Sequence, residues 1–170
     1  MSMSDGFEEG REIGEAGLFD GLRYRITDTR PLGVGAGSSV YAALDKQLSE
    51  PVAIKVIDRL EIDDDPKKLE LLEREMNIWS KLKHPNIINL RDVVFEDDWV
   101  LLIVEYAGGG SLYSEIAAAP VHEGRARVLF QQMLAAVDYC NSNGIFHRDL
   151  KLENVVFSEG DILKITDFGT

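Results

Sequence analysis

The sequence predicts an α+β protein: a five-stranded antiparallel sheet with one main helix, followed by a mainly helical segment. Three observations predict it. Strand-like stretches flank a glycine-rich turn, one long helical periodicity interrupts them, and composition shifts towards helix formers after the glycine run "AGGGSL".

The elements follow in order. Residues 1–22 are rich in glycine and acids, lack periodicity, and are read as a disordered acidic leader. "YRITDTRPLG", "SSVYAALD" and "PVAIKVID" read as three strands in a meander, with "GVGAG" as the turn between the first two. In "DDDPKKLELLEREMNIWSKLK", Asp65 is placed to cap and Pro66 suits the first helical turn. Leu71, Glu75, Ile78 and Leu82 recur there at helical spacing, which sets Glu75 within an apolar face. "HPN" ends that helix, and "NLRDVVFE" and "DWVLLIVEY" supply two more strands. Residues 111–118 form a short helix and 123–143 a longer one. On the longer helix Ala126, Phe130, Met133, Val137 and Cys140 share a stripe, and Gly144 is its C-terminal cap. "NVVF" and "ILKIT" are two short closing strands. The expected organisation is the leader (1–22), then a partial domain (23–170) with a first lobe at about 23–106, a hinge at about 105–110 and the start of a second lobe at about 111–170.

Bulk properties exclude several classes. The single cysteine, Cys140, forms no internal disulfide, and the start has no apolar signal region. Both point to a reducing compartment, cytoplasmic or else nuclear. The longest apolar run, 99–104, is far too short to span a bilayer. A net charge of -12 argues against nonspecific binding of nucleic acid or an anionic membrane.

Chemistry concentrates in four places. Gly33, Gly35 and Gly37 suit either a tight hairpin or a backbone cradle for an anion. A helix does not follow the loop, which disfavours a dinucleotide-binding turn. Lys55 lies inside an apolar strand, so its head reaches water or meets a partner. Glu75 would be that partner, since a lone carboxylate on an apolar face is costly. "HRDLKLEN" (147–154) packs two acids, an amide and three basic side chains between the apolar anchors "GIF" and "VVF". Asp149 suits deprotonation of a hydroxyl, Lys151 neutralisation of a phosphoryl group, and Asn154 and Asp167 oxygen ligation of Mg²⁺. His147 reads as structural.

In order and spacing, the glycine loop, "VAIK", "HPNII", "VEYAGGGSL", "HRDLKLEN" and "DFG" resemble the eukaryotic protein kinase family from about residue 24 onward. The resemblance implies a protein-kinase-like fold, ATP and Mg²⁺ as cofactors, and a protein or peptide substrate. It implies that Gly33 and Gly35 cover the phosphates and that Lys55, anchored by Glu75, holds them. Val104 falls at the gatekeeper position, Glu105 and Ala107 present hinge backbone to adenine, and Val40, Ala53 and Val156 sandwich the ring. Asp149 would be the catalytic aspartate, Lys151 the phosphate-facing lysine, and Asn154 and Asp167 the metal ligands. Trp79, Leu90, His147 and Phe168 would stack as a spine. Lys151 after "HRDL" resembles the serine/threonine type, and the glycine loop and "HRDLKLEN" resemble the calcium/calmodulin-dependent and AMP-activated-kinase-like group. Two positions depart from the pattern: Ser38 replaces the third glycine, and Ser111 replaces a common hinge glutamate. The resemblance also implies an activation segment and substrate-binding helices after residue 170, so the chain alone is expected to lack peptide kinase activity. A non-catalytic nucleotide-binding or scaffold module of kinase ancestry is the alternative.

Overall fold

The computed structural model describes residues 23–35, 37–63 and 66–167. The expected leader, Asp65 and Phe168 lie outside the described residues. Strands β1 (Tyr24–Ile26) and β2 (Gly33–Gly35) both pair antiparallel with β3 (Ser38–Asp45). The first predicted strand is thus two strands, split by a turn. Asp28 accepts from the Arg30 amide at 3.0 Å, and Pro31 has no N–H to offer a ladder. β3 pairs with β4 (Glu50–Asp58), β4 with β6 (Trp99–Glu105), and β6 with β5 (Leu90–Phe95), giving the order β1-β3-β4-β6-β5.

Both faces of this sheet are covered. Val52, Ile54 and Val56 enter one apolar cluster with Tyr24, Tyr41 and Trp99. Ala53 enters the other, with Trp79, Leu102 and Val104. Burial on both sides explains why β4 reads as a nearly unbroken apolar run.

One short helix, α1 (Leu60–Asp63), has no counterpart in the sequence reading; Asp58 accepts from the Leu60 amide at its start, at 2.8 Å. On α2 (Pro66–Lys81) the buried row is Leu72, Glu75 and Trp79, continuing to Leu82, with Glu75 half-buried. This corrects the predicted stripe, because Leu71 is 56% exposed. Trp79 sets the rotation of the helix: its indole is fully buried, and Nε1 donates to the Ile88 carbonyl at 2.7 Å.

The second half begins with α3 (Leu112–Ala118), capped by a reciprocal Ser111–Ser114 box. α4 (Glu123–Ser142) ends at Asn143, and Gly144 adopts φ +71°, the left-handed conformation predicted for its cap. A one-turn helix (Leu152–Asn154) leads into the hairpin of β7 (Val155–Ser158) and β8 (Ile162–Ile165). The predicted stripe on α4 is also corrected. Leu129, Ala136 and Cys140 are buried, whereas Ala126 is exposed and Phe130 is 58% exposed. Polar anchors rotate the helix. Arg125 pairs with Glu115 and Asp161 and lies over the Phe157 ring. Gln132 accepts from the Leu163 amide at 3.0 Å and from Asn86 at 2.8 Å. Among the described residues no helix is long and apolar enough to cross a membrane.

The two halves are tied by backbone. Ile88 donates to the Ile165 carbonyl and Ile165 donates to the Asn86 carbonyl, both at 2.9 Å. In the linker, Gly109 donates to Phe157 at 2.8 Å and Phe157 donates to Gly110 at 3.0 Å. A Cβ on Gly109 would stand 2.7 Å from Phe157 Cβ and 2.9 Å from its carbonyl oxygen. Gly109→Ala is therefore expected to cost about 1–3 kcal/mol in a urea unfolding series. Gly33→Ala, with no atom within 4 Å of the new Cβ, serves as the near-neutral control.

A second prediction concerns Asp45, which is 1% exposed. It accepts from Arg23 Nε at 2.9 Å and Nη2 at 2.5 Å, and from the amides of Gln47 and Leu48. The Arg23 hydrogen bonds, helped by the two amides against burial, hold its pKa at about 2, below the ordinary 3.8. A depressed carboxylate stabilises the fold above its unfolded pKa, and that contribution is lost as pH falls through the folded value. The stability gap between the wild type and Asp45→Asn should therefore be constant above about pH 5 and close as pH falls towards 2, measured by urea midpoints.

Candidate active site

A cavity of about 300 Å³ lies between the sheet and the β7–β8 hairpin. Val40, Ala53 and Val104 form its sheet-side wall and Val156 faces them. Glu105 and Ala107 line it from the start of the linker, and Trp79 and Ile88 from α2 and the segment after it. Register accounts for this set, since Ala53 stands opposite Val104 and Gly33 opposite Val40. Gly33 is part of the wall. Gly35 is not, because it pairs with Ser38, two residues beyond Val40 along β3. Leu32, Ile88 and Thr166 also line the cavity. Sequence reasoning misses all three: each is a commonplace side chain whose only signal is adjacency to a motif. Ser111 lines the cavity too, but its hydroxyl is committed to the cap of α3.

The inner end carries charge. Lys55 Nζ lies 2.9 Å from Asp167 Oδ1 and 3.9 Å from Glu75 Oε1. Burial lowers the Lys55 pKa, but the charges of Asp167 and Glu75 outweigh it and leave the ammonium above its ordinary value. Burial raises Glu75 and Asp167 adds to that, while Lys55 pulls it down only in part. Asp167, not Glu75, is thus the closer partner of the lysine. Asp167 sits at φ +59°, a left-handed backbone that Asp adopts more readily than most non-glycine residues and that the surrounding structure holds in place.

That structure is the 147–154 loop, where Arg148 is also left-handed at φ +66°. His147 Nε2 donates to the Thr166 carbonyl at 2.8 Å, and its Nδ1 accepts from the Asp149 amide at 3.3 Å. Thr166 donates its amide to the Asn154 carbonyl at 3.0 Å. Asn154 is buried, and its Nδ2 donates to the Asp149 carbonyl at 2.9 Å and to Asp149 Oδ2 at 3.1 Å. Lys151 Nζ donates to the same Oδ2 at 2.7 Å. The Lys151 hydrogen bond, with help from Asn154 and His147, holds the Asp149 carboxyl below its ordinary range. Asp149, Lys151 and Asn154 lie outside the cavity wall, yet hydrogen bonds join them to Thr166, the neighbour of Asp167.

A divalent cation here would meet hard oxygen donors. Asn154 commits Nδ2 to Asp149, which turns Oδ1 away from that carboxylate, and Asp167 adds a second hard oxygen donor. Among the described residues no group of three His, Cys, Asp or Glu side chains comes together. Two oxygen donors without a cage fit Mg²⁺, which commonly takes one or two protein ligands and completes its shell with water and substrate phosphates.

Comparison with known proteins identifies the family of the domain. The protein kinase domain model matches residues 26–170. The chain is 41% identical over 140 residues to CBL-interacting protein kinase 16 of Oryza sativa subsp. japonica, covering 82% of this chain and 31% of the relative. It is also 41% identical over 140 residues to CBL-interacting serine/threonine-protein kinase 5 of Arabidopsis thaliana, covering 82% and 32%. CBL-interacting protein kinase 28 of Oryza sativa subsp. japonica is 40% identical over 148 residues, covering 87% and 34%. The chain belongs to the protein kinase domain family. It spans about a third of the length of the curated relatives it matches.

The ion-pair geometry generates a prediction. Removing one partner of an isolated buried pair costs about 3–5 kcal/mol. Lys55 keeps Asp167 at 2.9 Å when Glu75 is neutralised, so Glu75→Gln should destabilise the ligand-free chain by about 1 kcal/mol or less. Thermal and urea unfolding of the variant check this.

Proposed function

We propose that this chain is the nucleotide-binding and catalytic region of a serine/threonine protein kinase, transferring the γ-phosphoryl group of ATP to a protein hydroxyl with Mg²⁺. The observation that carries this reading is Lys55, held between Asp167 and Glu75 at the inner end of an apolar cavity. The domain division follows the two sheets, with a first lobe at 23–106, a hinge within 105–110 and a second lobe from 111. The serine/threonine type rests on Lys151 and on the name of the Arabidopsis relative. The likeness to the calcium/calmodulin-dependent and AMP-activated-kinase-like group rests on the glycine loop and "HRDLKLEN".

In this reading Val40, Ala53 and Val156 hold the adenine ring, Val104 closes the back, and the backbone at Glu105 and Ala107 reads the base edge. Gly33 and Gly35 cover the phosphates, and Lys55 holds them. Asn154 and Asp167 hold Mg²⁺, which when bound offsets phosphate charge. Asp149 orients the substrate hydroxyl and takes its proton as the oxygen bonds to the γ-phosphorus. The bond between that phosphorus and the β-bridging oxygen breaks, and ADP leaves. Lys151, which pairs with Asp149, neutralises charge on the moving phosphoryl group.

The test separates two aspartates. Measured in a chain extended with an activation segment and substrate-binding helices, Asp149→Asn should lower turnover about 10²–10⁴-fold with nucleotide binding nearly unchanged. Asp167→Asn should lose turnover and also weaken Mg²⁺-dependent nucleotide binding. Phosphate transfer to a serine/threonine substrate and fluorescence titration with labelled ADP measure the two effects. Unchanged turnover in either variant refutes the catalytic assignment and leaves the nucleotide-binding scaffold.

A further inference from the structure

Arg125, in the first turn of α4, meets three other parts of the chain. Its Nε and Nη2 donate to the two carboxylate oxygens of Glu115 on α3, at 2.5 and 2.8 Å. Its Nη1 and Nη2 donate to the two carboxylate oxygens of Asp161 in the turn between β7 and β8, the Nη2 bond at 2.8 Å. The guanidinium carbon lies 5.5 Å from the centre of the Phe157 ring on β7. Isolated surface ion pairs contribute little, but a planar fork that engages two carboxylates and covers a ring is the geometry in which they count.

These partners surround one wall of the cavity. Gly109 donates its amide to the Phe157 carbonyl, and Phe157 donates to the Gly110 carbonyl. Ser111 then stands opposite Val156 in an antiparallel bridge. Ser111 and Val156 both line the cavity, whereas Arg125, Glu115 and Asp161 do not. Glu115 holds the Ser111 side of this short ladder, since its amide donates to the Ser111 carbonyl at 3.1 Å. Phe157, 3% exposed, carries the Val156 side. The β7–β8 hairpin is thus held at two ends. Ile165, the last residue of β8, is bonded to Ile88 and Asn86, and Asp161 precedes the first, Ile162.

We propose that Arg125 is a positioning residue that clamps the linker ladder on β7, and thereby sets the affinity of the cavity for a nucleoside base. The affinity part rests on the kinase reading; the clamp does not. Without the guanidinium, Glu115 and Asp161 repel each other as like charges, α3 and the turn move apart, and the ladder between Gly109 and Phe157 opens. The inner end, where Lys55 meets Asp167, is fixed by the backbone bonds of Ile165 and keeps its geometry.

The experiment compares wild type, Arg125→Met, the Glu115→Gln/Asp161→Asn double variant and the triple variant that combines them. Two readouts are taken: amide hydrogen exchange without ligand, and displacement of ADP carrying a fluorescent ribose tag by adenosine and by Mg²⁺-pyrophosphate. Arg125→Met should speed exchange at Gly109 and Phe157 while the amides of Ile88 and Ile165 keep their wild-type rates. It should weaken adenosine binding by roughly tenfold and leave pyrophosphate within about twofold of wild type. The double variant should behave as Arg125→Met does, and the triple variant should be no weaker than either. Wild-type exchange at Gly109 and Phe157 in Arg125→Met overturns the inference, as do losses in the triple variant that add those of the other two. A merely structural role would speed exchange at Ile88 and Ile165 as well and weaken adenosine and pyrophosphate alike, and that result also overturns it. Should Arg125→Met fail to fold, the double variant, whose carboxylates are partly exposed, decides by the same readouts. If wild type binds neither the tagged ADP nor adenosine, the nucleotide reading fails, and the exchange comparison alone upholds or overturns the clamp.

Discussion

Ile87 and Ile165 share a short parallel bridge, made by the Ile88 and Ile165 amides, that joins the segment after α2 to β8. Both residues are nearly fully buried, so water cannot satisfy their backbone groups. Leaving such groups unpaired would cost about 1–3 kcal/mol each. The bridge therefore fixes the register of one half of the molecule on the other. Asp167 lies two residues after Ile165, and Trp79 fastens α2 to the Ile88 carbonyl. Lys55, Glu75 and Asp167 come from a strand, a helix and a loop far apart in sequence, and this bridge lets all three meet. Asn86 reinforces it, donating its side chain both to Leu163 and to Gln132 of α4.

The cleft sets one buried cation among acids in a chain of net charge -12. Lys55 is shared, with Asp167 nearer than Glu75. Asp149 is likewise engaged, by Lys151 and Asn154. In both places an anion of a ligand would compete with a carboxylate for a lysine.

Several parts of this molecule were legible before the fold was known. Glycine at 144 and the Ser111 start of α3 are local chemistry, and both elements begin or end where capping rules place them. The helical rows were less legible. The inward face of α4 contains Arg125 and Gln132, and a row with those residues looks solvent-facing until Glu115, Asp161, Leu163 and Asn86 are seen around it. On α2 the row moved by one residue, from Leu71 to Leu72, because a tryptophan far larger than its neighbours chose the side. The split between β1 and β2 had a visible signal in Asp28 and Pro31, which a continuous-strand reading passes over.

By itself the sequence determined the order of elements, the family motifs and the residue types at the cleft, because each depends on neighbours a few positions away along the chain. Glycines, caps and the alternation of β3 are properties of that kind. Only the tertiary structure decided which partner Lys55 prefers, which faces of α2 and α4 turn inward, and that Lys164 reaches Glu105. Those outcomes depend on distances between segments separated by tens of residues, set by the packing of Trp79 and by backbone hydrogen bonds between loop and strand. Periodicity constrains a helix to one stripe among several of similar apolarity, and the surrounding polar partners select among them. A lysine in a short strand carries no mark of its carboxylate until the fold brings the two within 2.6 Å.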